Sequence, residues 1–114
     1  MRVKTGPNRK RKHKKILKQA KGYQMTRHRL LKKASEAVLH AGEYAFAGRK
    51  LRKRNLRRLW ITRISAGLSE SGISYNRFIA GLKKAKIGLD RKILADLVIS
   101  DPKTFKTLIE KVKQ

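Results

Sequence analysis

No aspartate or glutamate occurs before Glu36, and only Glu43 joins it in the first 60 residues. Those 60 residues carry 21 lysines and arginines, a net charge of +19; residues 61–114 carry 11 against five acids, a net +6. This lopsided charge constrains the fold more than any other feature. A helix in the front half has almost no acids for i,i+3 or i,i+4 ion pairs, and a compact globule of such charge repels itself. The front half therefore needs an external polyanion. Nucleic acid is the first candidate and an anionic membrane the second.

Other features narrow the class. At 114 residues the natural reading is one domain with an extension. Cysteine is absent, which removes disulfide frameworks and thiolate metal sites and slightly favours a reducing compartment. No apolar run approaches the ~20 residues that span a bilayer. The basic N-terminus lacks the apolar stretch of a secretory signal. An Arg-rich organelle presequence fits less well, because the basic character continues to residue 58.

Along the chain, "KRKHKKILKQAKG" consists mostly of good helix formers, with Gly22 placed to end the helix. Thr26 is the expected N-cap of a helix running over 27–71, about 65–70 Å long at ~1.5 Å per residue. Its apolar stripe, Leu30, Leu31, Ala34, Val38, Ala41 and Ala45, is mostly alanine and thin for a core. Gly42 and Gly48 each cost about 1 kcal/mol relative to alanine inside a helix. They mark kinks, or points where another backbone or a phosphate comes close.

Beyond residue 55 the pattern changes. Leu56, Leu59, Trp60, Ile64 and Leu68 step along one face, with Leu59, Trp60 and Ile64 expected to dock on the helices that follow. "SGIS" closes this helix. Ser74 can cap a helix whose Tyr75, Phe78, Ile79 and Leu82 share a face. Asp90 can cap the next, with Ile93, Leu94, Leu97 and Val98 apolar. Asp101 before Pro102 starts a last helix bearing Phe105, Leu108, Ile109 and Val112. The expected fold is all-α: a long kinked basic N-terminal helical extension over 1–58, joined to a small C-terminal helical domain over 59–114.

The residues supply no catalytic set. The acids after residue 60 stand singly, Asp90 and Asp101 serve as caps, and His13, His28 and His40 lie among cations that repel a metal. No Gly-rich phosphate loop or serine–base pair occurs. An enzyme, a cofactor site, a metal site and a small-molecule substrate are not expected. By contrast, Arg49, Lys50, Arg52, Lys53, Arg54, Arg57 and Arg58 place seven cations in ten residues, and no acid lies between Glu43 and Glu70. Such spacing rings a helix with charge and suits phosphate, which the planar fork of arginine grips by two oxygens. Arg91 and Lys92 open a helix against its dipole, which points to an anion site there, near Lys83, Lys84 and Lys86. Tyr23 and Tyr44 lie where no core is evident and suit packing on a base or sugar. Tyr75 and Phe78 could also stack on bases, although their helical spacing favours a core role for Phe78.

No zinc motif, basic-zipper repeat or helix-turn-helix turn points to DNA. A long basic rod suits crevices between RNA helices better than a regular groove. An architectural DNA-compacting protein is the alternative, and a membrane-active cationic helix is a third class that lacks its apolar face.

"HKKILKQAKGY", "RKRNLRRLWITRI" and "SYNRFIAGLKKA…LDRKILADL" together resemble the bacterial large-subunit ribosomal protein L20 family, in order and over nearly the whole chain. The resemblance implies an extension threading the large-subunit ribosomal RNA, a small helical C-terminal domain, and a role early in subunit assembly. Neighbouring large-subunit proteins are implied as contacts, with no membrane partner and no homo-oligomer in the ribosome. It also implies a cytoplasmic location in the large subunit, with an organellar ribosome left open, and translational repression through the chain's own messenger RNA, as in some bacteria. The expected RNA contacts are Arg9, Lys10, Arg11, Lys12, Lys14, Lys15, Lys18, Lys21, Tyr23, Arg27 and Arg29; the cluster Arg49, Lys50, Arg52, Lys53, Arg54, Arg57 and Arg58; and Arg77, Lys83, Lys84, Lys86, Arg91 and Lys92.

Overall fold

Helix α1 spans Gly6–Gln19 in the computed structural model, which describes residues 4–113. Pro7 sits in its first turn, where a missing N–H costs no helical bond. At the other end the Ala20 N–H still reaches the Ile16 carbonyl at 3.2 Å, and Gly22 then turns the chain at φ +87°. The glycine ends this segment as its sequence position suggested.

The next element corrects the expected N-cap. Thr26 lies inside a 3-10 turn, Met25–His28, and its carbonyl accepts the N–H groups of Arg29 (3.0 Å) and Leu30 (2.9 Å). Met25 adopts a left-handed backbone at φ +59° immediately before, so the residues assigned to a first helical turn are used to redirect the chain. Helix α2 therefore begins at Leu31 and runs for 38 residues to Leu68, followed by a 3-10 turn, Ser69–Ser71. It remains helical through Gly42 and Gly48, and a Cβ added at either would meet no atom of the described residues within 4 Å. Neither glycine marks an approach of the chain's own backbone.

The chain divides into two units, the first ending at Lys50 and the second beginning at Leu51. In the first, the fully buried residues are Ala20 and Ala34, with Ile16, Leu17, Tyr23, Leu31 and Val38 half-buried. The expected stripe is thus buried only in the first turns of α2; Leu30, Ala41 and Ala45 are exposed. Two alanines remove little apolar area from water.

The second unit has a conventional core. Helices α3 (Tyr75–Lys84), α4 (Arg91–Ser100) and α5 (Pro102–Lys113) bury Phe78, Leu82, Leu94, Ala95, Phe105 and Ile109 with Ile64 and Leu68 of α2. The Phe78 and Phe105 rings meet tilted, their centroids 5.6 Å apart. The docking face needs one correction: Leu59 is 43% exposed, whereas Trp60, half-buried, packs against the core as expected. The stripe that docks follows i, i+4, i+8 through Trp60, Ile64 and Leu68, and Leu56 and Leu59 precede the stretch covered by the core. Ile93, expected on the apolar face of α4, is 46% exposed; Ala95 is buried with Leu94 instead.

Of the three caps expected in the second unit, two form side-chain bonds. Asp90 accepts the Ile93 N–H at 2.8 Å. Asp101 accepts the Thr104 N–H at 3.2 Å and the Thr104 hydroxyl. The hydroxyl first and the backbone N–H second hold the Asp101 carboxyl below its ordinary value, so this cap is intact at neutral pH and is lost as acid protonates it. Ser74 occupies the cap position of α3, but its hydroxyl makes no capping bond.

Gly81 marks a close approach that the sequence does not reveal. A Cβ built there would collide with Cγ1 of Val112 on α5. Alanine would ordinarily favour the helix by about 1 kcal/mol, but the β-branched Val112 has little freedom to yield. Gly81→Ala is expected to destabilise the second unit by about 1–3 kcal/mol in urea melts. Adding Val112→Ala should relieve the collision and recover part of the loss.

Candidate nucleic-acid interface

From Leu39 to Lys50 in the first unit and from Leu51 to Leu59 in the second, every residue of α2 is exposed, 21 residues in a row. Arg49, Lys50, Arg52, Lys53, Arg54, Arg57 and Arg58 all project from it. At 3.6 residues per turn their side chains leave the helix in many directions rather than as one stripe.

The acids do little to offset them. Among the described residues, Glu36 meets Lys33 at 3.2 Å, Glu43 meets His40 at 3.3 Å, and Glu70 meets Lys106 at 4.0 Å. All three pairs are exposed and weak, and none involves a cation expected to contact RNA. Among the described residues, one cation of the cluster makes a specific side-chain contact: Lys50, whose Nζ lies 5.4 Å from the centroid of the Phe46 ring. The remaining charge is available to phosphate.

The other expected contacts fall into three places. Arg9, Lys10, Arg11, Lys12, Lys14, Lys15 and Lys18 are exposed along α1, with Lys21 exposed just beyond it. Arg27 lies in the 3-10 turn before α2 and Arg29 directly after it, both exposed. Tyr23 departs from the reading that the arm has no core: it is half-buried, and its carbonyl accepts the His28 Nδ1–H at 2.9 Å. Tyr44 is 77% exposed on α2.

In the second unit, Arg77, Lys83 and Lys84 are exposed on α3, the two lysines in its last turn, where a cation suits the helix dipole. Lys86 is exposed in the following loop with a left-handed backbone, φ +56°. Lys92 is exposed at the start of α4. Arg91 is half-buried, and its Nε donates to the Tyr75 hydroxyl at 2.8 Å, which fixes the guanidinium over α3. Phe78 is fully buried and cannot stack on a base.

Sequence reasoning passed over Arg63 and the setting of Trp60. Both line a pocket of about 480 Å³ with Asp90, Lys92, Ile93 and Asp96. The available signal was the i,i+3 spacing of Trp60 and Arg63, which places them on neighbouring positions of one helix. It also passed over Met25, left-handed and 84% exposed.

This surface can neutralise phosphates and place arginine forks and aromatic rings against nucleotides. Among the described residues no group of histidines and acids could hold a metal ion, and no helix is long and apolar enough to cross a membrane.

The sequence profile of a family described as ribosomal protein L20 matches residues 2–108. The large ribosomal subunit protein bL20 of Psychrobacter cryohalolentis is 53% identical over 112 residues, covering 98% of this chain and 95% of that protein. The protein of the same description from Psychrobacter arcticus shows the same identity and coverage.

Proposed function

Since the chain belongs to the ribosomal protein L20 family, we propose that it binds large-subunit ribosomal RNA directly and supports an early step of subunit assembly, in a structural rather than a catalytic role. The observation that carries this reading is the fully exposed stretch of α2 with its seven-cation cluster, which has no acid from Tyr44 to Leu59. Phosphate is the counter-charge that such a surface lacks. Residues 1–58 act as the extension lying among RNA helices, and residues 59–114 as the domain that sets position. In the second unit Arg77, Lys83, Lys84, Lys86, Arg91 and Lys92 face RNA. Neighbouring large-subunit proteins complete the surroundings. The same C-terminal cations would serve a regulatory contact with the chain's own messenger RNA.

The test is a gel-shift series with the full chain, a structured large-subunit ribosomal RNA fragment and a DNA duplex of equal length, across a salt gradient. With ten phosphate contacts the log–log salt slope is expected near about −9. The RNA fragment should compete against an excess of the duplex. Equal affinity for the two would overturn the reading and favour an architectural DNA-binding role.

A further inference from the structure

The pocket beside Trp60 combines groups that a plain phosphate clamp would not. Trp60 and Arg63 come from α2, and Asp90, Lys92, Ile93 and Asp96 from the start of α4. Its volume, about 480 Å³, is within the range of small-ligand sites. Trp60 is half-buried in the wall, and Ile93 leaves apolar surface open beside it.

The carboxylates are the informative part. Among the described residues five of the seven acids have a partner: Glu36 meets Lys33, Glu43 meets His40 and Glu70 meets Lys106, while Asp90 and Asp101 cap helices. Asp96 and Glu110 have no side-chain partner among the described residues, and of the two only Asp96 lines the pocket with Trp60, Arg63 and Lys92. A carboxylate repels phosphate, so a site meant for backbone alone would be better without it. An ionised carboxylate only accepts hydrogen bonds, at two oxygens side by side. On an unpaired base, the edge that answers this is one with two adjacent N–H donors, and guanine alone has such a Watson–Crick edge. The match is a doubled, charge-assisted hydrogen bond of the fork type. An indole supplies the stacking platform by which proteins hold splayed-out bases.

We propose that this pocket seats one unpaired guanine of RNA, stacked on Trp60, with its N1–H and N2–H donating to Asp96 and its flanking phosphates on Arg63 and Lys92. The assignment rests on the RNA-binding reading and adds a base identity to it. Asp90 keeps its capping bond to Ile93, which holds the start of α4 in place beneath the base.

Trp60 is the only tryptophan in the chain, so the tryptophan fluorescence comes from the wall of this pocket, where the ring meets the edge of the core. The experiment titrates the full chain with the RNA tetranucleotides UGUU, UAUU, UCUU and UUUU at moderate salt, with inorganic phosphate as a further arm. UGUU is expected to quench Trp60 saturably and to bind at least about tenfold tighter than the other three. Phosphate alone should leave the emission unchanged. Asp96→Asn should reduce the guanine preference to about twofold or less, because an amide offers one acceptor where guanine needs two. Equal quenching by all four tetranucleotides, no quenching by UGUU, or an undiminished preference in Asp96→Asn would each overturn the proposal. A preference for UCUU would assign the carboxylate to a cytosine amino group instead and would equally overturn it. Failure of the pocket alone leaves the ribosomal RNA gel shift intact, whereas failure of the RNA-binding reading abolishes that shift in the unaltered chain.

Discussion

Replacing Arg49, Lys50, Arg52, Lys53, Arg54, Arg57 and Arg58 together with glutamine should weaken binding to large-subunit ribosomal RNA by roughly a thousandfold or more near physiological salt. Each cation that meets a phosphate releases about 0.9 of a condensed counterion from a duplex-like polyanion. Seven lost contacts should therefore flatten the log–log salt slope by about 6. Glutamine is nearly as good a helix former as lysine or arginine, and all seven positions are exposed. The core of the second unit is untouched, so its urea melt should keep its midpoint. A salt slope unchanged by the sevenfold substitution would show that the cluster faces water in the complex and that the polyanion is held elsewhere.

Phe78→Ala should have the largest effect on the second unit, a destabilisation of about 3–5 kcal/mol. The ring has no exposed surface and packs on Phe105 at 5.6 Å, in a core built from eight buried side chains. A unit of this size has a total stability of only about 3–9 kcal/mol on the usual per-residue scale. The variant should be substantially unfolded at 25 °C, and far-UV circular dichroism across a urea gradient would show an early or missing transition. Leu59→Ala, at a site that the core does not cover, should cost under about 1 kcal/mol. Similar losses for the two variants would mean that the core is centred differently around α2.

The fold was legible where chemistry and spacing agreed. Asp90 and the Asp101–Pro102 pair mark helix starts by capping, and the structure has α4 and α5 beginning there. The apolar series on α3 and α5 marks the core face, and Phe78, Leu82, Phe105 and Ile109 are buried. Legibility failed where a local feature outside simple periodicity decided the outcome. The left-handed Met25 displaced the start of α2 to Leu31, and no residue type announces a positive φ at methionine. Leu59 lies in a helical apolar series like its neighbours, but burial depends on how far the other helices reach along α2, which spacing does not encode. For the binding surface, the cations were visible as a run without acids, and the structure adds that the cluster is exposed and free of ion pairs among the described residues. The bond of Arg91 to Tyr75 joins residues 16 apart in sequence and needed coordinates to be seen.

A helix with every side chain open to its surroundings from Leu39 to Leu59 has a kinetic consequence. A partner that touched one flank would leave the rest of the charge unanswered, so full compensation requires enclosure. Strands that wrap a rod cannot do so after the space around it has closed. If the proposed RNA encloses it, the protein would have to arrive before its surroundings compact, and it could leave only when they reopen. Exchange with free copies in a finished particle should then be slow whatever the equilibrium affinity.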